Sequence, residues 1–190
     1  MRLHELTRNI YLVGLMGAGK TTVGKALAKR LGYRFLDSDQ EVEERTGVSL
    51  ATIFEIEGED GFRKREAQLI AELAELRQHV VATGGGSVLR PENRLALRSS
   101  GTVVYLDVPL HTLHERTRHD RKRPLLQVSD PRQKLRELLA QRDPLYREVA
   151  DVTISGSHIT PQAILNLLLK KEGEAVSYTH LRAHETGRNL

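Results

Sequence analysis

Gly14-Leu15-Met16-Gly17-Ala18-Gly19-Lys20-Thr21 follows the pattern G-x-x-x-x-G-K-[ST], a spacing suited to holding a polyphosphate. Glycines let successive backbone N–H groups converge on phosphate oxygens, and a helix that follows aims its positive dipole end at them. Lys20 then reaches the β- and γ-phosphates, and the Thr21 hydroxyl ligates Mg²⁺. A glycine-rich turn also closes ordinary strand–helix connections. Here, however, an apolar run (9–13) precedes the loop and a helix-like run (21–31) follows it. That context predicts a nucleoside triphosphate site.

Other chemistry-bearing residues recur downstream. Asp37 and Asp39 are two apart and share a face if the stretch is extended; beside Mg–ATP they could hold the metal's water shell or orient an attacking hydroxyl. Alternatively, Ser38 or Asp39 caps a helix starting at Gln40. Arg63 and Glu66 lie three apart on one helical face, a guanidinium preorganised to grip a carboxylate or else a solvated surface pair. Thr83-Gly84-Gly85-Gly86-Ser87 follows a strand, and three glycines there allow a ligand close to backbone amides. Arg116, Arg118, Arg121, Lys122 and Arg123 form a basic cluster, read as a polyphosphate-binding segment or a solvated charged loop.

The elements that must position these groups are short apolar runs at 10–13, 34–36, 80–82, 103–106 and 152–154. Helical patterns separate them at 20–31, 38–46, 50–76 (broken near Gly58), 92–98, 110–118, 131–149 and 161–171. Strands alternating with helices imply βαβ units and a parallel sheet, with ligands gathered beyond the carboxyl ends of its strands.

Composition narrows the classes. The 190 residues suit one domain. No cysteine is present, which excludes disulfides and thiolate metal sites and fits a reducing compartment. Apolar runs fall short of the ~20 residues that cross a bilayer, so no membrane association is expected. Glu5 before the first apolar run and Lys20-Thr21-Thr22 after it argue against an export signal, making the cytoplasm the default. The net charge of +4 comes without aromatics interleaved among the basic residues, so no nucleic-acid partner is expected. His111, His114 and His119 could suggest a metal site, but His111 and His114 lack carboxylate support at suitable spacing, and a structural or solvated role is expected. The segment 177–190 lacks apolar periodicity, and 176–186 resembles translated sequencing-adapter DNA; it is expected to be a non-native, disordered tail, a read-through or cloning scar, after a domain spanning 1–176. His180 and His184 belong to it.

Taken together, the phosphate loop continuing into Thr22-Val23-Gly24, Asp37-Ser38-Asp39, Gly61-Phe62-Arg63-x-x-Glu66, Gly84-Gly85-Gly86, Arg123-Pro124-Leu125-Leu126 and Arg142-x-Pro144-Leu145-Tyr146 resemble the shikimate kinase family in order and spacing. The resemblance covers about residues 9–169. It implies a three-layer P-loop kinase fold of the α/β class, with a five-stranded parallel sheet in the order 2-3-1-4-5 flanked by helices. It implies transfer of the γ-phosphoryl of ATP to the 3-hydroxyl of shikimate, with Mg²⁺ as cofactor and a monomer as the acting form.

On the same resemblance, Asp39 binds the shikimate hydroxyls and orients or deprotonates the attacking one. Arg63 and Arg142 clamp the carboxylate, Glu66 positions Arg63, and Gly84, Gly85 and Gly86 line the acceptor, Gly85 offering its N–H. Gly17, Ala18, Gly19, Lys20, Thr21 and Thr22 hold the phosphates, Thr21 ligates Mg²⁺ and Asp37 holds it through water. Arg123 opens a lid and joins Lys20 in spreading transition-state charge, while Arg116 and the region near Pro161 border adenine. The lid, Arg118-His119-Asp120-Arg121-Lys122-Arg123, is basic where some family members are glycine-rich. The alternatives are a gluconate-kinase-like or nucleoside-monophosphate-kinase-like phosphotransferase, whose acceptor motifs differ, and a regulatory module that binds ligand without turnover.

Overall fold

A computed structural model describes residues 7–120 and 123–171; the expected tail and lid residues Arg121 and Lys122 lie outside the described residues. Strands β1 (Asn9–Val13), β2 (Arg34–Asp37), β3 (His79–Ala82), β4 (Gly101–Asp107) and β5 (Val152–Ser155) form one parallel sheet, ordered β2-β3-β1-β4-β5. Every residue of central β1 is buried, as expected of a strand covered on both faces. Edge strand β5 alternates half-buried Val152 and Ile154 with exposed Thr153 and Ser155. The fold is the expected one.

Register sets where the loops emerge. Leu12 stands opposite Ala82 and Val104, and Asp37 opposite Ala82. The carboxyl ends of β2, β3 and β1 therefore lie level, and the loops leaving them open at one edge of the sheet. That edge is where ligands gather in such folds.

The helices are α1 (Lys20–Leu31), α2 (Ser38–Thr46), α3 (Leu50–Leu73), α4 (Pro91–Ser100), α5 (Leu110–Thr117), α6 (Pro131–Val149) and a last helix, α7, at 161–171. The expected break in α3 falls at Gly58, which takes φ 71° inside the helix, a left-handed value that glycine adopts without a steric cost. Helix α6 starts where the Asp130 side chain accepts from Gln133 N at 3.0 Å, with Pro131 in the first turn. It buries Leu135, Leu138, Arg142, Tyr146 and Val149 on one stripe. Arg142 thus sits among apolar neighbours.

Candidate active site

The phosphate loop lies between β1 and α1. Gly19 takes φ 91° and N-caps α1 with no side-chain hydrogen bond, and no acid stands in the first turn. The opening N–H groups of the helix are consequently left to an anion instead of being capped by the chain. Lys20 Nζ folds back along this loop and donates to Gly14 O at 2.7 Å and Leu15 O at 3.0 Å. Burial and then the charge of Arg123 push the Lys20 amine down to about 8, against the pull of Asp39 and Asp37.

Asp37 and Asp39 do not share one extended face. Asp37 ends β2 and is itself the cap of α2, its Oδ1 accepting from Asp39 N at 3.1 Å and Gln40 N at 3.2 Å. The helix therefore begins at Ser38, two residues before Gln40, and neither Ser38 nor Asp39 is its cap. Asp37 Oδ2 still accepts from Thr21 Oγ1 at 2.6 Å. This all-oxygen pair beside the phosphate loop fits a hard divalent cation that keeps its waters. Asp39 has its carboxyl pushed up by burial and by Asp37, with Lys20, Arg123 and Arg63 opposing.

Arg63 and Glu66 are not a solvated pair. Arg63 is 7% exposed and Glu66 1%. Arg63 Nη1 donates to Glu66 Oε2 at 2.8 Å, and Nη2 reaches the exposed Glu59 at 3.3 Å. Burial raises the Glu66 carboxyl although Arg63 pulls it down. Burial works against the Arg63 charge, and Glu66 and Glu59 outweigh it.

Two of the three glycines also make room for the protein's own side chains. A Cβ on Gly86 would lie 2.2 Å from Arg63 Nη2, and one on Gly84 would lie 2.6 Å from Asp39 Oδ1 and 2.8 Å from Glu66 Oε1. The close approach is made by the protein's own charged side chains, which rest on bare Cα atoms. Ser38, read from the sequence only as a possible cap, is buried and accepts from Gly84 N at 2.8 Å, tying this loop to α2.

These groups surround one cleft of about 670 Å³. Gly17, Gly19, Lys20, Thr21, Thr22, Asp37, Asp39, Arg63, Glu66, Gly84, Gly85, Gly86, Arg116, Arg123 and Arg142 all line it. Ala18 does not; its side chain is buried and its N–H donates to Leu15 O at 3.1 Å. Pro161 does not line the cleft either; it stands half-buried at the start of α7. Leu50, Phe54, Phe62 and Leu125 supply an apolar wall that the sequence did not mark as functional; the Phe54 and Phe62 rings stack at 4.9 Å. Arg116 Nη1 donates to Gly17 O at 3.0 Å and its other Nη to Ser157 O, while Arg123 Nε donates to Asp120 at 2.7 Å. His111, His114 and His119 join no metal-holding group among the described residues, and no described helix is long and apolar enough to cross a membrane.

Three buried side-chain atoms at the acceptor end of the cleft have no partner: Arg63 Nε, Glu66 Oε1 and Arg142 Nε. Burying polar atoms unpaired is unfavourable, so their clustering marks a place where a ligand completes the hydrogen bonding. A glycine loop between a central parallel strand and an uncapped helix, facing buried arginines across one cleft, defines a P-loop kinase.

The model of the family described as "Shikimate kinase" matches residues 16–172. The shikimate kinase of Dechloromonas aromatica (strain RCB) is 60% identical over 88% of this chain and 91% of its own length. That of Thiobacillus denitrificans is 56% identical over 90% and 95%. A solved structure of shikimate kinase from Acinetobacter baumannii in complex with shikimate is 52% identical, covers 86% of this chain and 94% of that one, and superposes with a TM-score of 0.84. A gluconokinase from Sinorhizobium meliloti, at 19% identity and TM-score 0.53, shares the fold alone. The chain belongs to the shikimate kinase family.

Proposed function

We propose that this enzyme transfers the γ-phosphoryl group of ATP to the 3-hydroxyl of shikimate, giving shikimate 3-phosphate and ADP on the route to chorismate and the aromatic amino acids. The observation that carries this reading is the pair of buried guanidiniums. Arg63 and Arg142 each keep a buried Nε unpaired and face the same cleft as Lys20 and Asp39. Two such groups are built to receive a carboxylate, and Asp39 beside them to receive hydroxyls.

The acceptor carboxylate sits between Arg63 and Arg142, with Gly85 offering its N–H and Glu66 holding Arg63 in place. Asp39 accepts the proton of the 3-hydroxyl as its oxygen bonds to the γ-phosphorus and the bond to the β-phosphate oxygen breaks. The raised Asp39 carboxyl is a better proton acceptor than an exposed aspartate. Lys20 leaves its loop carbonyls for the phosphates, and Arg123 swings from Asp120 to join it. Backbone N–H groups of Gly17 and of Gly19 to Thr22 hold the phosphates, and Arg116 borders adenine. Thr21 directly, and Asp37 through water, would hold Mg²⁺, which neutralises phosphate charge when bound. Positioning and electrostatics supply most of the catalysis in such a reaction. The reading extends to a monomer in the cytoplasm, and a cysteine-free chain suits that reducing compartment.

ADP release from Mg–ATP, with shikimate, gluconate or AMP as acceptor, tests the assignment. Turnover that depends on shikimate alone is the expected result. Preference for gluconate or AMP would reassign the acceptor, and ATP binding without shikimate-dependent turnover would make the chain a regulatory module.

A further inference from the structure

Tyr146 is fully buried on the α6 stripe, one turn beyond Arg142. Its ring is fixed: it stacks on Tyr105 with centroids 5.0 Å apart. The Tyr105 hydroxyl in turn donates to Asp143 Oδ1 at 2.7 Å, and Asp143 Oδ2 accepts from Arg147 Nε at 3.0 Å. Arg147 also reaches Asp107 at 2.9 Å. The far face of α6 is thereby tied to the end of β4, which leaves the Tyr146 phenol little freedom to rotate. The hydroxyl, however, is not used within that frame. It donates to Gly85 O in the glycine loop, the residue beside which the Arg142 guanidinium lies.

Gly85 and the neighbouring Arg142 both line the cleft at its acceptor end. Because a peptide unit is planar, a hydrogen bond to Gly85 O holds the whole Gly85–Gly86 peptide. Arg63 rests on the bare Cα of Gly86, and Arg142 Nη1 would lie 3.5 Å from a Cβ on Gly85. One phenol oxygen therefore holds the peptide that both guanidiniums lie against, Arg142 at Gly85 and Arg63 at Gly86. We infer that Tyr146 is a positioning residue for the acceptor's carboxylate: its hydroxyl fixes the Gly85–Gly86 peptide against which Arg142 and Arg63 lie, and so sets the spacing of the two arginines. A tyrosine that merely filled the core would leave that spacing to the arginines themselves.

The inference rests on the proposed shikimate site, and the test separates the two. Tyr146→Phe deletes the hydroxyl and keeps the stacked ring. Wild type and variant are compared with shikimate and with its methyl ester, as acceptor or as competitive ligand. The expected result is a KM for shikimate raised about tenfold, a KM for ATP changed by less than about twofold, and a preference for the acid over the ester reduced by that same factor. The preference is a ratio within one preparation, so partial unfolding does not alter it. In an Arg142→Lys background the further effect of Tyr146→Phe shrinks to about twofold or less, because the two groups act as a unit. Tyr105→Phe, which spares the Tyr146 hydroxyl, leaves the preference unchanged. Equal losses with acid and ester, or an unchanged preference, overturn the positioning role while the shikimate reading stands. A wild-type enzyme indifferent to shikimate overturns both.

Discussion

On the acceptor side of the cleft Arg63 and Arg142 are 7% and 2% exposed, and each keeps Nε unpaired. On the nucleotide side Arg116 is exposed, Arg123 half-buried, and both spend donors on the protein's own groups, as does Lys20 on its loop carbonyls. The acceptor site has its cations already desolvated and held, so a carboxylate entering it meets groups that need not move. The nucleotide site must exchange internal hydrogen bonds for phosphate oxygens. Recognition of the small acceptor is therefore built into the fold, and recognition of ATP comes with rearrangement. That division suits phosphoryl transfer, in which water must be kept from competing with the acceptor.

The largest break in this contrast comes on the nucleotide side. Lys20→Met removes the cation aimed at the transferring group, and kcat is expected to fall on the order of a thousandfold. Shikimate affinity, measured by titration without nucleotide, should stay within about threefold of wild type. A comparable loss of shikimate affinity would mean that the two sides are not independent.

Arg63→Ala attacks the prearranged side. The KM for shikimate should rise on the order of a hundredfold, far more than the KM for ATP. The same change strands Glu66 in the interior, and the thermal midpoint should drop; an uncompensated buried charge costs about 3–5 kcal/mol. Arg63→Ala with equal effects on both KM values would defeat the acceptor assignment. Gly86→Ala is the gentler version. Its Cβ would sit 2.2 Å from the Arg63 guanidinium, so the arginine must shift while every charge is retained. About a tenfold rise in shikimate KM, with ATP KM and kcat little altered, is expected from steady-state rates.

The asymmetry was unevenly legible in the sequence. The phosphate loop is contiguous, so its pattern could be read directly, and the break of α3 was visible because glycine in mid-helix has few other uses. Fold and strand order followed from the alternation of runs and the resemblance. The acceptor side is assembled from α2, α3, the β3 loop and α6, and only tertiary packing decides which charges are buried. Arg142 did leave a signal, a cation in the apolar stripe of Leu135, Leu138, Tyr146 and Val149. Ser38 and Tyr146 stood within recognisable motifs, but their partners were not readable, since their hydroxyls meet backbone atoms far away in the chain. The glycine triplet was read as room for a ligand; that Gly84 and Gly86 also make room for Asp39, Glu66 and Arg63 could be seen only once α2 and α3 were in place.

The smallest effect, and the sharpest probe of the contrast, is a pH profile. Lys20 in the free enzyme titrates near 8 because burial and Arg123 disfavour its charge, with Arg142 adding to them and Asp39 and Asp37 opposing. Only the protonated amine attracts phosphate, so kcat/KM for ATP should decline above pH 8, to about a quarter of its low-pH plateau at half a unit beyond it. Bound phosphates favour the charged amine, so kcat should hold to higher pH. Arg123→Ala removes a cause of the depression and should move the break in kcat/KM upward; a break that stays put would mean that Arg123 does not act on Lys20 before ATP arrives. Stability carries the complementary sign. The unfolded chain keeps this proton up to the ordinary 10.5 while the native state releases it near 8, so between those values the unfolded state binds more protons. In that window the Lys20 contribution to stability rises with pH, the same window in which ATP capture is lost.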